Sequence, residues 1–396
     1  MERLCEYLRK YYNVNILRLL PRDVQEIFKE AAAAALKKKR KIKGRPNLPL
    51  ITLVNNLYEA APPSPSSVSG PFTLSYHHSA AYGKQIYIFG ESHGIELNCE
   101  FFGRSGSPDI QNFLEEVFET TPAFIDFYME FEPGFQKYAY EAFVRIVAGD
   151  EPSYINEIRS KIFNCVFLNP ECQWRNTVRA HWADPRNVFN EGLYHKIYYF
   201  YGQTSQPFFK KPPGPETLIT LGKEIFRDYS RLEGALRSPK EFNDFLFESL
   251  PETPVVWKEV SRSTLDVATF RAIMLEFLTK YRGEIFAREP IKISRRMKFK
   301  DIKSLSEPLI SPMMDLYQLA RIFKRFDVGG AFQPEEPRNV ISYGGNFHSR
   351  FLRLALDYLG FGRVDAPMID QGATDESRMS ARCLDLAGFV PLFSNF

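Results

Sequence analysis

The sequence predicts an α/β protein in which a mainly parallel sheet is flanked by helices. Short apolar runs rich in β-branched and aromatic residues alternate with segments of helical periodicity, and polar residues cluster directly after four of these runs. Alternating strands and helices connect by right-handed crossovers, which produce parallel strands. Of the 396 residues, 44% are hydrophobic and 15% aromatic, so the chain can form a sizeable core and is not disordered throughout.

Each strand and helix is assigned from its apolar pattern. The four strands are Gln85–Phe89, Ala123–Phe131, Val178–Ala183 and Val340–Tyr343. The helices are Ile110–Phe118, Tyr138–Val147, Asn187–Tyr201, Pro215–Leu236, Pro239–Leu250, Thr264–Phe286, Ser311–Phe326 and Phe347–Leu359. Strands and helices therefore alternate at both ends of this part of the chain, and helices dominate its middle.

Composition divides the chain into three parts. Residues 1–60 form a basic segment with helical patterns, and residues 61–71 are too rich in proline and serine for a helix or a central strand. Residues 72–396 contain the α/β pattern. Because residues 187–330 are helical almost throughout, we expect a helical insertion or cap within this domain.

Positive charge is concentrated near the start of the chain. Residues 1–45 carry a net charge of +8, whereas the remainder carries −5. The block consists of Lys37, Lys38, Lys39, Arg40, Lys41, Lys43 and Arg45. Such a block can bind nucleic acid or an acidic partner, or serve as a nuclear-import signal. It can equally be the solvated end of the preceding helix, where cations are favourable, and both interpretations stay open.

Cysteine usage and hydropathy predict an intracellular protein. The five cysteines are odd in number and scattered, which favours free thiols in a reducing compartment, although Cys165 and Cys172 could pair. No apolar run approaches the ~20 residues of a membrane span. The charged start of the sequence contains no apolar signal core.

Polar clusters follow all four predicted strands. They supply six candidate site residues: Glu91, His93, Glu130, Asp184, Arg186 and His348. Ligands of open α/β sheets bind outside the carboxyl ends of the parallel strands, so we expect these side chains to converge at one edge of the sheet.

The residue types in these clusters suit a metal site or acid–base catalysis. Imidazole and carboxylate groups bind divalent transition metals and act as general bases. Asp126 and Glu130 lie on one face of their strand, and an acidic side chain there should meet a cation or reach water. Glu130 is nearer the edge and is therefore the candidate. His348 falls in the first turn of a helix, where we expect its ring to stay neutral.

Each candidate also has a simpler structural interpretation. Glu91 can cap a helix that begins at Ser92, and Asp184 followed by Pro185 is a common helix start. Arg186 can pair with a carboxylate as readily as with an oxyanion. His181 has no comparable context, but it precedes Asp184 on the same strand.

Two G-x-x-H motifs carry a resemblance to a known superfamily. Gly90-Glu91-Ser92-His93 and Gly345-Asn346-Phe347-His348, with Glu130 after an apolar strand between them, resemble the TIKI/erythromycin-esterase/ChaN-like superfamily over residues 84–360. The resemblance implies an α/β core and a site formed by the two histidines, Glu91 and Glu130. It also implies divalent-metal-dependent proteolysis, ester hydrolysis or haem-iron uptake. The motifs are similar as well to uncharacterised proteins of large DNA viruses, for which the location would be the host cytoplasm, the nucleus or the virion.

The resulting hypothesis is a metal-assisted hydrolase that acts on a peptide or an ester. Glu91, His93, Glu130 and His348 would surround an ion of manganese, zinc or cobalt, which lowers the pKa of bound water toward ~7. Without a metal, His93 would be the general base, oriented by Glu91 or Asp184. Arg186 would hold an anionic group of the substrate or an oxyanion.

The alternative is a non-catalytic protein on the same fold. A structural or interaction protein, such as a virion component, could keep the site residues and use the basic segment to bind nucleic acid or an acidic partner.

Overall fold

The computed structural model describes residues 65–130 and 154–185 with short gaps, then 214–249, 253–286, 299–328, 333–367 and 381–393 with a short gap. Several predictions lie outside these residues. They are the basic segment, the helices Tyr138–Val147 and Asn187–Tyr201, His93, and Arg186.

Nine strands and eight helices form the described part of the chain. The strands are β1 (Ser67–Ser69), β2 (Thr73–Ser79), β3 (Lys84–Glu91), β4 (Leu97–Asn98), β5 (Ile125–Met129), β6 (Val178–Trp182), β7 (Asn339–Gly345), β8 (Gly362–Asp365) and β9 (Ala381–Asp385). The helices are α1 (Ile110–Thr120), α2 (Tyr154–Ile158), α3 (Pro215–Ala235), α4 (Pro239–Asp244), α5 (Thr253–Val260), α6 (Val267–Phe286), α7 (Phe299–Ile322) and α8 (Asn346–Tyr358). The π-helical turns Arg159–Phe163 and Phe245–Ser249 follow α2 and α4 directly.

The main sheet has six strands in the order β6-β5-β7-β3-β2-β8. The four strands predicted from the sequence, β3, β5, β6 and β7, are parallel neighbours. β2 is antiparallel to both β3 and β8. This mixed, mainly parallel sheet with its helices confirms the predicted α/β fold. A smaller sheet joins β1, β9 and β4.

Side chains of β3 alternate between two cores, one on each face of the main sheet. Tyr87 and Phe89 pack on the face covered by α1, whose buried residues include Ile110 and Phe113. Ile86 and Ile88 pack on the opposite face with residues of α3 to α8. β3 is buried on both faces, which is why it is an almost continuous apolar run in the sequence.

The described helices of the predicted insertion pack against the second face. α3 and α4 begin at Pro215 and Pro239, as predicted, because proline suits the first helical position. The Ser238 side chain accepts a hydrogen bond from the Glu241 N–H at 3.1 Å and caps α4. α7 begins at Phe299, earlier than predicted, since Pro308 and Pro312 are taken up inside it.

The last two strands of the main sheet, β2 and β8, were not predicted. β2 mixes polar with apolar residues although Leu74 to His77 are buried, and β8 is exposed throughout. Neither therefore has the apolar run that marks a buried strand. β1 lies within the segment predicted as a linker, where Val68 is fully buried and pairs with Leu384.

The prediction of free thiols is wrong for four of the five cysteines. Cys99 is bonded to Cys383, with 4.7 Å between the Cα atoms, and Cys165 is bonded to Cys172, with 5.3 Å. The first pair could not be foreseen because its members are 284 residues apart and meet only where β4 pairs with β9. The thiol count therefore no longer supports a reducing compartment.

None of the helices in the described ranges has the length and apolar character needed to cross a lipid bilayer, as the hydropathy of the sequence predicts.

Candidate functional site

The carboxyl ends of β3, β5 and β7 lie side by side in register. Glu91 at the end of β3 is paired with Gly345 at the end of β7, and Met129 of β5 is paired with Tyr343. The Glu130 N–H continues this ladder and donates to the Tyr343 carbonyl oxygen at 3.0 Å. Two of the candidate acidic residues therefore lie at one edge of the sheet.

His348 lies between two carboxylates. α8 begins directly after β7, so the imidazole projects from the first helical turn next to the sheet edge. Its Nδ1 is 2.7 Å from Oδ1 of Asp315, and its Nε2 is 3.4 Å from Oε1 of Glu130. The first contact is a short hydrogen bond and the second is a looser ion-pair contact. The His348 side chain is 15% exposed, so the site is not sealed from solvent.

Gly344 and Gly345, at the end of β7, hold Glu130 in place. The Gly345 N–H donates to Oε2 of Glu130 at 2.6 Å. A Cβ atom on Gly344 would lie 3.2 Å from both Cβ and Oε2 of Glu130, which is closer than side chains normally pack. The glycine pair therefore lets this carboxylate lie against the strand backbone while its Oε1 faces His348.

Asp315 is a member of this site that the sequence analysis missed. It lies on α7 and its residue is only 1% exposed. Burial raises the pKa of Asp315 to about 6; His348 opposes this shift, and the nearby charges of Glu130 and Asp184 add to it. The available signal was a lone carboxylate in the apolar run Met313 to Ala320, where an unpaired acid would be costly to bury.

The protonation state of His348 is the opposite of the neutral imidazole predicted from its position in the first turn of a helix. Burial disfavours the charged ring, but the Asp315 and Glu130 carboxylates outweigh it and raise the pKa of His348 well above its usual value. Two carboxylates within contact distance dominate over the partial charge of a helix end.

The remaining described candidates are placed differently. Glu91 is buried and one residue beyond Gly90, which pairs with Gly344, so strand alternation directs its side chain away from the face of Glu130. Asp184 lies just past β6, is buried, and is near enough to act on the pKa of Asp315. The structure thus brings together Glu130 and His348, with Asp184 nearby.

The described residues fit a metal ion only in part. No group of three or more His, Cys, Asp or Glu residues within these ranges is arranged to hold one. The separation of 3.4 Å between His348 Nε2 and Glu130 Oε1 would let both atoms bind one ion, while Asp315 orients the ring through Nδ1. Catalytic zinc sites use three protein ligands, and here the described part of the chain offers two.

A second histidine–aspartate pair lies further from this edge, on β5 and β6. Oδ1 of Asp126 accepts from Nε2 of His181 and from Nε of Arg179, both at 2.7 Å. Arg321 donates to Nδ1 of His181 at 3.2 Å, and the His181 ring stacks on Tyr128 with 4.3 Å between centroids. The expectation that an acidic side chain on this face should meet a cation or reach water agrees with the contact between Asp126 and Arg179.

The second pair has pKa shifts that keep it in one protonation state. Burial, together with the positive charges of Arg321 and Arg179, lowers the pKa of His181 to about 4 despite its bond to Asp126. Burial acts to raise the pKa of Asp126, but His181 and Arg179 outweigh it and lower that pKa. The ring is neutral and the carboxylate is charged across the physiological range.

Protein-family models, curated proteins and solved structures give no match to this chain. The resemblance carried by the two G-x-x-H motifs therefore stays a prediction, and function has to be argued from geometry.

Proposed function

We propose that the protein is a hydrolase of peptide or ester bonds, with His348, Glu130 and Asp315 as its reaction centre. One observation carries the proposal: an imidazole reachable from solvent faces a carboxylate at each ring nitrogen, at the carboxyl edge of a parallel sheet. Titratable groups with strongly shifted pKa values in such a place are typical of catalytic sites.

The geometry supports a division of proton transfer between two residues. The Asp315 carboxylate holds Nδ1 of His348, so Nε2 is the nitrogen that faces Glu130. Glu130 would accept the proton of the attacking water, whose oxygen bonds to the carbonyl carbon. His348 would donate its Nε2 proton to the leaving oxygen or nitrogen as the scissile bond breaks. Asp315 acts as a positioning residue.

The proposal includes a divalent ion of manganese, zinc or cobalt at this centre. Glu130 and His348, with its Nε2 deprotonated, would hold the ion in place of the proton transfers described above, and His93 of the first motif is the candidate for a third ligand. When bound, such an ion would lower the pKa of water and polarise the carbonyl group. The roles of Asp315 in orienting His348 and of Gly345 in holding Glu130 are the same with or without it.

A hydrolysis screen of His348→Ala and Glu130→Gln tests the proposal. The native chain is assayed on peptide and ester libraries, with and without each metal, beside elemental analysis of the purified protein. His78→Gln, which changes an exposed histidine of β2, is the matched control. We expect both site variants to lose about 10²–10⁴-fold of the native rate and the control to retain it. Undiminished hydrolysis by either site variant would refute the assignment.

The second candidate function is that of an interaction protein, which the +8 charge of residues 1–45 favours. The basic block would bind nucleic acid or an acidic partner in the host cytoplasm, the nucleus or the virion. Deletion of residues 1–45 should then abolish binding whose affinity falls steeply with salt. Binding that is independent of salt, or that survives the deletion, would argue against it.

A further inference from the structure

The outer edge of β8 is open to solvent. Among the residues that the structure describes, β8 is the last strand of the six-stranded sheet and pairs on one side only, with β2. All four of its residues are exposed, and Val364 is 40% exposed although it is apolar. An open strand edge presents unpaired main-chain groups that can bind another strand.

The register identifies which main-chain groups face outward. The Ala366 N–H donates to the Leu74 carbonyl oxygen at 2.9 Å, so the main-chain groups of Ala366 point toward β2. Main-chain groups alternate in direction along an antiparallel strand, so those of Val364 also point toward β2. The N–H and C=O groups of Arg363 and Asp365 therefore point away from the sheet.

We propose that this edge binds the same edge of a second copy of the chain. In an antiparallel pairing about a two-fold axis through Val364, Arg363 of each copy lies opposite Asp365 of the other. These are the two residues whose main-chain groups point outward, so each opposed pair exchanges two hydrogen bonds. The pairing joins two six-stranded sheets into one.

The charges on β8 favour pairing with a second copy of this chain over pairing with a strand of another protein. Arg363 and Asp365 flank Val364 and project on one face of the sheet, where Nε of Arg363 is 2.9 Å from Oδ1 of Asp365. Opposite charges directly across two strands stabilise an antiparallel pair, and like charges destabilise it. The segment Arg-Val-Asp, read in the opposite direction, is complementary to itself, so no other sequence is needed.

The intrachain contacts of Arg363 are compatible with an additional contact to the second copy. Its Nη1 is 2.9 Å from Oδ2 of Asp357, which holds the guanidinium over the sheet. A guanidinium has five N–H donors, so it can keep this contact while it meets a carboxylate of the second copy. Charged residues on an edge strand can also act as protection against pairing, and that role predicts a monomer at all concentrations.

Sedimentation of the full chain over a range of concentrations tests the proposal with two single variants. Asp365→Arg places like positive charges across the axis, and Arg363→Asp places like negative charges there. We expect the native chain to dimerise reversibly and each variant alone to dimerise at least tenfold more weakly. An equimolar mixture of the two variants should regain the dimer, because the arginines of one variant then face the aspartates of the other.

Three results would overturn the proposal. They are a native chain that remains monomeric up to its solubility limit, a dimer that neither variant weakens, and a mixture that stays monomeric while its components are folded. Circular dichroism of each variant tests whether it is folded, as we expect because both residues lie on an exposed strand. None of these measurements depends on hydrolysis.

Discussion

Two histidine–aspartate pairs in this fold have the same N···O distance and differ in the charged residues around them. His348 and Asp315 are 2.7 Å apart, and so are His181 and Asp126. Glu130 and Asp184 surround the first pair with negative charge, whereas Arg179 and Arg321 surround the second with positive charge.

The surroundings reverse the protonation behaviour of both members. The pKa values of His348 and Asp315 are raised, and those of His181 and Asp126 are lowered. A histidine–aspartate contact therefore does not by itself define a catalytic pair. Its neighbouring charges decide whether it can exchange protons near neutral pH or is held in one state to stabilise the core.

The largest expected effect is on stability, and it separates the two pairs. Asp126→Ala leaves the buried His181 and the partly buried Arg179 without the carboxylate they contact, so we expect a loss of about 3–5 kcal/mol in the free energy of unfolding. Asp315→Ala is the matched variant at the other pair. Its loss in the free energy of unfolding should be well below that of Asp126→Ala, because burial already disfavours the Asp315 anion. Urea unfolding measures both, and equal losses would erase the distinction.

The next effect is on activity and follows from the proposed hydrolase. Asp315→Asn removes the anion that holds Nδ1 of His348, so we expect the rate to fall about 10²-fold or more. The alkaline limb of the pH–rate profile should move to lower pH, because only one of the two carboxylates that raise the pKa of His348 remains. Asp126→Asn serves as the comparison. A profile that keeps its native shape in Asp315→Asn would contradict the positioning role.

The protonation states of the two histidine rings should differ at neutral pH. In chelator-treated protein, ¹⁵N NMR titration should find His348 doubly protonated at pH 7. It should find His181 neutral at the same pH, with its proton on Nε2, and charged only as the pH approaches about 4. Two rings that titrate together near 6.5 would show that their surroundings do not act as described.

The pH dependence of stability should have opposite signs at the two pairs. The folded pKa of His181 is lowered, so the unfolded chain binds more protons below about 6.5, and this pair loses stability as the pH falls toward 4. The folded pKa of Asp315 is raised to about 6, so its contribution is present in acid and is lost as the pH rises through 6. Unfolding of the native chain, His181→Gln and Asp315→Asn across pH 4–8 measures both slopes.

The smallest effect concerns the contact between Gly344 and Glu130. Gly344→Ala adds a Cβ atom 3.2 Å from Oε2 of Glu130, so the carboxylate must shift by a few tenths of an ångström. We expect the rate of hydrolysis to fall about tenfold. The contribution of the Asp126 pair to the free energy of unfolding should change little. Ile341→Val, on the opposite face of β7, is the control and should cost about 0.5–1.5 kcal/mol without loss of activity.

The sequence predicted the parts of this molecule that repeat a local pattern. β3, β7, α1 and α8 were placed within a few residues, because their apolar runs and helical spacing match their burial. Glu130 and His348 were found because they follow buried strands directly.

What the sequence could not predict depends on contacts between distant residues. Asp315 is 33 positions from His348 and lies on a helix, where no strand end marks it. The charged state of His348 depends on that unseen partner. The bond between Cys99 and Cys383 and the edge position of β8 likewise follow from sheet order, which local patterns do not specify.

The disulfide between Cys99 and Cys383 has a consequence for cleavage of the chain. It closes a loop that contains α1 to α8, both histidine–aspartate pairs and the whole helical insertion. A protease that cuts once anywhere inside this loop produces two fragments that remain covalently joined. Such a nicked protein would migrate as one species until it is reduced, and its two halves could not diffuse apart.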